Sequence, residues 1–507
     1  MTKRTAILFG FIITKFLFQY FLISPGYELH RDEFLHLDQA DHLAWGYFSV
    51  PPFTSWISIL IFIFGSSVFW IKFFPALFGA LTMVVIWQAI KELGGNLFAL
   101  ILGAICVIFS VLLRINMLYQ PNSMDVLAWT TLYFILIKYI NTEKPKWLYI
   151  AAVMFAVGFL NKYNIIFLLA GLLPALLLSN RSFFTEKKLY VSILLALLLI
   201  SPNLLWQYNN NFPVINHLKE LADTQLVNVN RWDFLKDQLL FFIGSLFVII
   251  AALYALLFYP PFKKYSFFFF TLCFTLLIFT YLKAKSYYAI GLYPIYISFG
   301  AVYLADIFKT GWKKYIQPGA VIIPVLFFIP MYTVAFPNKN PDYIVANPGP
   351  YKKFGLLRWE DGKDHPLPQD FADMLGWKEL AYKIDTIYST LPDQGQTLIL
   401  CDNYGEAGAI NYYAKNKKIK AVSFNADYIN WFDLTRKYTS LIRVKSFESE
   451  GDELKKTSPF FDTSFIAGSI TNSFAREFGT TIFVFKNARI DINKRIEKEI
   501  DKEKNYR

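Results

Sequence analysis

Five of the fourteen carboxylates in the first 337 residues crowd between positions 28 and 41: Glu28, Asp32, Glu33, Asp38 and Asp41. Three of the chain's five histidines, His30, His36 and His42, share that stretch with Arg31. Polar loops are ordinary, but this one is interleaved with Phe34, Leu35, Leu37 and Leu43 at roughly helical spacing, which predicts a short helix lying on a membrane surface. On such a helix Asp32 and His36 share a face at i and i+4, while Glu33 points about 100° aside. A carboxylate beside apolar surface is partly desolvated and becomes a stronger base, able to take a proton from a hydroxyl or amine. His30 and His36 flank Asp32 and offer donors for a divalent ion, although their spacing matches no tight zinc signature.

A second acid, Asp125, follows Gln-Pro-Asn-Ser-Met at the start of another apolar run. As an N-terminal helix carboxylate it can simply complement the dipole, or it can share a site with Asp32. Arg114, Lys162, Lys283 and Lys285 stand beside the ends of apolar runs. Snorkelling accounts for such residues one at a time, yet Lys283, Lys285, Tyr287 and Tyr288 place two ammonium groups and two phenols together. That combination suits a lipid phosphate.

The elements that must position these residues are mostly membrane helices. The chain has 507 residues, of which 55% are apolar, 19% aromatic and 17% charged, against roughly 45–50% apolar and about 25% charged in soluble domains. Lys and Arg number 24 up to Pro337 and 26 after it, Asp and Glu 14 and 24. A membrane part, 1–337, is therefore joined to a part of soluble composition, 338–507. Eleven apolar stretches approach the length of about 20 residues that a span requires, near 5–24, 66–90, 97–114, 124–141, 147–161, 164–179, 189–205, 237–259, 266–282, 287–308 and 317–336. The segment 53–64 is too short and reads as a juxtamembrane helix within a first external loop, 25–65. The first stretch, behind Lys3 and Arg4 without a clear A-x-A site, reads as a retained span. With the N-terminus inside, the inner connections hold fourteen Lys and Arg and the outer ones about seven, the expected bias. An odd number of spans places 338–507 outside. Because the surplus charge of +12 lies mainly in short loops, no nucleic-acid partner is implied. The three cysteines, Cys106, Cys273 and Cys401, form no metal spacing.

The tail reads as α/β. Helices are expected at 377–390 and 406–414, strands at 397–401, 419–424 and 480–486, and a frayed polar helix at 493–507. The run Asn403-Tyr-Gly-Glu-Ala-Gly408 joins a strand to a helix without a dinucleotide fingerprint.

Several of these runs resemble one family. Arg31-Asp32-Glu33-Phe34, His42-Leu-Ala-Trp-Gly-Tyr-Phe48 and Pro51-Pro52 are similar to the first external loop of bacterial protein O-mannosyltransferase-like enzymes. These belong to the GT-C membrane glycosyltransferases, which include dolichyl-phosphate-mannose-protein mannosyltransferases and the lipid A aminoarabinose transferase. Asp125-Val-Leu-Ala-Trp129, Gly158-Phe-Leu-Asn-Lys-Tyr163, Ser201-Pro-Asn-Leu-Leu-Trp206, Lys285-Ser-Tyr-Tyr288 and Tyr293-Pro294 follow in the family's order. In the tail, Leu367-Pro-Gln369, Gly376-Trp377 and Asn403-Tyr-Gly-Glu-Ala407 look like the same group.

The resemblance implies a polytopic α-helical GT-C fold of about eleven spans with a C-terminal extracytoplasmic α/β domain, sited in a bacterial inner membrane. It implies an inverting glycosyltransferase that moves a sugar from an undecaprenyl-phosphate carrier to a lipid, glycan or protein acceptor. The family's catalytic acid maps to Asp32, with Glu33 and Asp125 orienting the acceptor or a metal. His30, Arg31, His36, Lys162, Lys283, Lys285, Tyr287 and Tyr288 would bind substrate, the lysines holding the carrier phosphate. No cofactor is assigned, and a divalent ion held by Asp32, His36 and Asp125 stays open. Where the aminoarabinose branch carries a Glu-Lys pair before its Pro-Pro, this chain has Ser49-Val50, which disfavours aminoarabinose transfer to lipid A. The rival class, a transporter or lipid flippase, would place ionisable groups at mid-span. Lys15 and Lys72 are the clearest such charges, and the sequence offers them few partners.

Overall fold

A computed structural model describes residues 2–392, 394–447 and 451–506. Sixteen α-helices precede Pro337: α1 Lys3–Phe21, α2 Arg31–Asp38, α3 Phe53–Ile63, α4 Val68–Glu92, α5 Leu97–Ile108, α6 Val111–Ile115, α7 Asn122–Thr142, α8 Lys146–Asn161, α9 Ile165–Ser179, α10 Lys187–Asn209, α11 Pro213–Thr224, α12 Arg231–Leu240, α13 Leu246–Phe258, α14 Phe267–Tyr281, α15 Pro294–Ile307 and α16 Gln317–Val334. Every one of the eleven expected stretches is helical, but their lengths are unequal. Five helices among the described residues are long and apolar enough to cross a membrane, and the count rises to seven if each of two bent pairs is one span. The pairs are Arg231–Leu240 with Ile243–Phe258, bent by 63°, and Ser286–Leu292 with Pro294–Ile307, bent by 47°. The stretches at α5, α8, α9 and α14 are apolar but shorter. The chain is thus a multi-pass membrane protein.

Burial orders these helices. In α7 72% of the apolar window is buried, against 17% in α1, so α7 runs through the middle of the bundle and α1 along its rim. Around α7 one apolar core joins α4, α5, α8, α9, α13, α14 and α15. Close approach there depends on a missing side chain: a Cβ on Gly300 of α15 would lie 1.9 Å from the carbonyl oxygen of Val248 on α13.

After the short helices α17 Pro341–Ala346, α18 Gly349–Lys353 and α19 Gln369–Ala372 come α20 Trp377–Ser389 and α21 Tyr404–Tyr413, set on a five-stranded sheet. Its strands are β1 Thr397–Cys401, β2 Ala421–Ser423, β3 Ser440–Lys445, β4 Phe461–Ser469 and β5 Thr481–Ala488, in the order β2-β1-β3-β5-β4. Ile399 pairs with Ala421 and Ile442 in parallel, and Ile442 with Val484 antiparallel. The strands missing from the sequence reading are β3 and β4. The second is an edge strand with one of its nine positions buried and no regular alternation of buried and exposed positions, so it lacks the apolar signal by which strands are recognised. The terminal helix Ile492–Tyr506 is not merely frayed and polar, because Ile492 and Ile496 are buried against the outer face of the sheet.

A second apolar core crosses the boundary at 337. Phe34, Leu35 and Leu37 of α2 pack in it with Trp377, Ile410 and Ile442 of the C-terminal part. The first external loop therefore folds as much with the sheet as with the membrane helices.

Candidate active site

The start of α2 explains why two adjacent acids have opposite surroundings. His30 is its N-cap, with Nδ1 accepting from the Asp32 amide at 3.2 Å, while Glu33 reaches back to the His30 amide at 2.8 Å. This is a capping box with histidine in the place usually held by serine or threonine. Glu33 is fully buried and also accepts from the Tyr119 amide at 2.7 Å and from Lys72 Nζ at 2.6 and 2.7 Å. Lys72 is thus far from partnerless: the ion pair ties α4 to α2. Through these bonds Glu33 braces α2 against α4 and the segment before α7.

Asp32, one residue earlier, keeps about a third of its side chain open, 35%. Oδ1 accepts from the Tyr404 hydroxyl at 2.6 Å and Oδ2 from Gln120 Nε2 at 2.9 Å. Burial pushes its carboxyl up, but His30, Arg31 and the Tyr404 hydroxyl together outweigh that and hold it below the usual aspartate value. It is an ionised carboxylate near neutrality.

From Gln120 a run of amides leads to a cation. Asn122 Nδ2 donates to Gln120 Oε1 at 2.9 Å, and Lys162 Nζ donates to Asn122 Oδ1 at 2.8 Å. Lys162 lies over the rings of Tyr288 and Tyr287, 4.5 and 5.2 Å from their centroids. Burial draws its ammonium down to about 8, although Asp125 pulls the other way. Asp125 is itself buried on α7 and accepts from Trp129 Nε1 at 2.9 Å and Asn164 Nδ2 at 3.0 Å. The same Asn164 nitrogen donates to the Tyr288 carbonyl at 2.9 Å. Asp125 therefore holds the segment carrying the two phenols and adds negative charge behind Lys162.

The other predicted residues divide. Lys285 pairs with Glu360 at 2.5 Å, and Arg114 with Asp370 at 2.5 Å, so both are held by the segment after the last membrane helix rather than snorkelling. Lys283 is half-buried at φ 53° and has no ion-pair partner among the described residues. His36 is buried, with Nδ1 3.3 Å from Gln39 Oε1 and its ring edge-on to Tyr119. Arg31 lies over the Tyr404 ring at 4.6 Å. His30 and His36 thus face the protein interior.

Among the described residues Asp32, His36 and Asp125 do not converge as a metal-ligand group, a correction to the donor set expected from sequence. His36 packs against Tyr119, and Asp125 is engaged by Trp129 and Asn164. The group that does converge is His30, Asp370 and Asp373. Its chemistry fits a cation poorly. His30 Nε2 lies 3.6 Å from Asp373 and 3.9 Å from Asp370. Both carboxylates also hold arginines, Arg114 at 2.5 Å and Arg476 at 3.2 Å.

Three residues of this arrangement, Gln120, Asn122 and Asn164, carry no signal of their own in the sequence, and Tyr404 stands only within the run 403–407 noted for its resemblance. Gln120 and Asn122 stand next to Asp125 but are uncharged. A Cβ on Gly408 would lie 2.6 Å from Phe34 Cβ and 2.6 Å from the Tyr428 hydroxyl, so α21 can rest on α2 only without one.

Comparisons with known proteins agree with this architecture. The family model described as dolichyl-phosphate-mannose-protein mannosyltransferase matches residues 49–206. A lipid A galacturonosyltransferase of Rhizobium johnstonii, RgtD, is 23% identical over 227 residues, 41% of this chain and 47% of its own. The chain thus spans about half the length of that curated relative. The crystal structure of ArnT from Cupriavidus metallidurans bound to undecaprenyl phosphate aligns with a TM-score of 0.62 at 13% identity, covering 95% of this chain and 98% of the other. The same protein in its apo state aligns with a TM-score of 0.61 at 12% identity, with the same coverage. The family match lies within the membrane half, and the likeness along nearly the whole chain shows that this protein shares the fold of ArnT.

Proposed function

We propose that the protein transfers a sugar from a polyprenyl-phosphate carrier to an acceptor at the outer face of the membrane, with inversion at the anomeric carbon. The observation that carries this reading is the line Asp32–Gln120–Asn122–Lys162, an ionised carboxylate and an ammonium group joined through two amides. A displacement at an anomeric carbon needs a base on one side and a countercharge for the departing phosphate on the other.

In the proposed reaction Asp32 takes the proton of the acceptor hydroxyl as its oxygen bonds to the anomeric carbon. The bond from that carbon to the carrier phosphate breaks, and its electron pair leaves with the phosphate. Lys162 neutralises the developing dianion, and Tyr287 and Tyr288, whose rings it lies over, supply hydroxyl donors and an apolar wall. Asp125 positions Asn164 and Lys162, while Glu33 positions α2. No side chain is needed as a nucleophile and no metal is routed through the step. That ArnT was solved with undecaprenyl phosphate and that a curated relative is a galacturonosyltransferase support this donor class. The absence of the Glu-Lys pair at Ser49-Val50 argues for a sugar other than aminoarabinose.

The test is transfer by the purified protein from radiolabelled polyprenyl-phosphate sugars, comparing parent with Asp32→Asn. Asparagine keeps the shape but not the basic oxygens, so turnover should fall by roughly 100-fold or more. A variant that inserts normally and turns over at the parent rate removes Asp32 as the base.

A further inference from the structure

The C-terminal sheet has a reversal in strand order. From β1 the chain crosses through α21 to β2 on one side, while β3 lies parallel to β1 on the other. In open α/β sheets the crevice outside the carboxyl ends of the strands at such a reversal is the usual ligand position. Here that crevice lies beyond Cys401 and Lys445, and its lip is the run from Asp402 to Glu406. The lip does not stand open to a soluble ligand, because α2 of the membrane half lies against it. A Cβ on Gly405 would come within 3.2 Å of Arg31 Cβ. From the first turn of α21, Tyr404 reaches across to give its hydroxyl to Asp32 at 2.6 Å. The guanidinium of Arg31 covers the Tyr404 ring at 4.6 Å and fixes its plane.

We propose that Tyr404 is a positioning residue for Asp32, so that the C-terminal unit completes the reaction centre with the crevice edge that such sheets otherwise offer to a ligand. This rests on the reading of Asp32 as the base. The phenol takes one acceptor site of Oδ1 and Gln120 one of Oδ2, so the two bonds fix the plane of the carboxylate and leave one acceptor site on each oxygen. A phenol donating to a carboxylate favours its charged form, so Tyr404 also sets the pH at which the base becomes available. Other titratable groups facing Asp32 are His30, at 3.9 Å, with Arg31 and His36 on its own helix, and Tyr287 on the segment before α15. Asp373 and Glu477 of the C-terminal part face Arg31.

The experiment compares pH profiles of sugar transfer by the full-length protein in nanodiscs for parent, Tyr404→Phe and Asp32→Asn, with melting temperatures recorded alongside. Tyr404→Phe should move the acid limb of the profile up by about one pH unit, with transfer at high pH close to the parent's. Incorporating 3-fluorotyrosine at position 404, a more acidic and stronger donor, should move the same limb down, and it decides the matter if the phenylalanine variant does not fold. An unmoved acid limb in both variants, with Asp32→Asn inactive, overturns the positioning role and leaves the base assignment standing. An active Asp32→Asn overturns both.

Discussion

Replacing Glu33 by glutamine should damage the protein more than its place next to Asp32 would suggest. The carboxylate is fully buried and receives four contacts, from the amides of His30 and Tyr119 at 2.8 and 2.7 Å and from Lys72 at 2.6 and 2.7 Å. Glutamine offers one acceptor oxygen where two are needed. Its NH2 group would face a donor, and Lys72 would keep its charge without an anion. Breaking a buried pair from one side costs about 3–5 kcal/mol, more than the net value of the pair, since most of the loss is the stranded charge. The effect is therefore partly repaired by removing that charge. Lys72→Met in the Glu33→Gln background should recover a measurable part of the lost stability. The assay is denaturation of the purified protein in detergent for the two single variants and the double. Because α2 begins at this bond, Glu33→Gln should also lower transfer by displacing Asp32. Parent-like stability of Glu33→Gln, or strict additivity in the double variant, would refute the reasoning.

Two further outcomes are expected. Lys162, drawn down to about 8, carries its charge below that pH and loses it above. The KM for the polyprenyl-phosphate donor should therefore rise as pH climbs through about 8, and Lys162→Arg, whose guanidinium stays charged, should flatten that limb. Should the KM limb persist unchanged in Lys162→Arg, the phosphate is held elsewhere. If 338–507 lies outside the membrane, a cysteine introduced at Lys417 in intact cells will react with an impermeant reagent. Labelling that appears only after permeabilisation would invert the proposed topology.

Much of the membrane architecture is legible in the chain because lipid imposes a one-dimensional requirement. Apolar runs must be long and helical wherever backbone groups leave water, and all eleven runs are helices. The number that cross is less legible, since α5, α8, α9 and α14 fall short of a span by length alone. The cluster around Asp32 was also readable, because acids and histidines are conspicuous beside apolar residues. The roles within it were not. Asp32 and Glu33 differ by one position in sequence and about 100° on a helix, which separates a part-exposed carboxylate from a buried one paired with Lys72.

Residue order alone thus settles the division into a lipid-facing part and a part of soluble composition, the helical periodicity, and the stretch where acids collect. Packing in three dimensions settles which acid stays part-exposed, that Arg114 and Lys285 are held by Asp370 and Glu360, and that Tyr404 meets Asp32 across 372 positions of chain. The difference is one of range. Hydropathy and helical spacing act within a few turns and are written locally. A hydrogen bond or ion pair depends on a few tenths of an ångström between side chains brought together by packing elsewhere, here by Gly408 seated against Phe34.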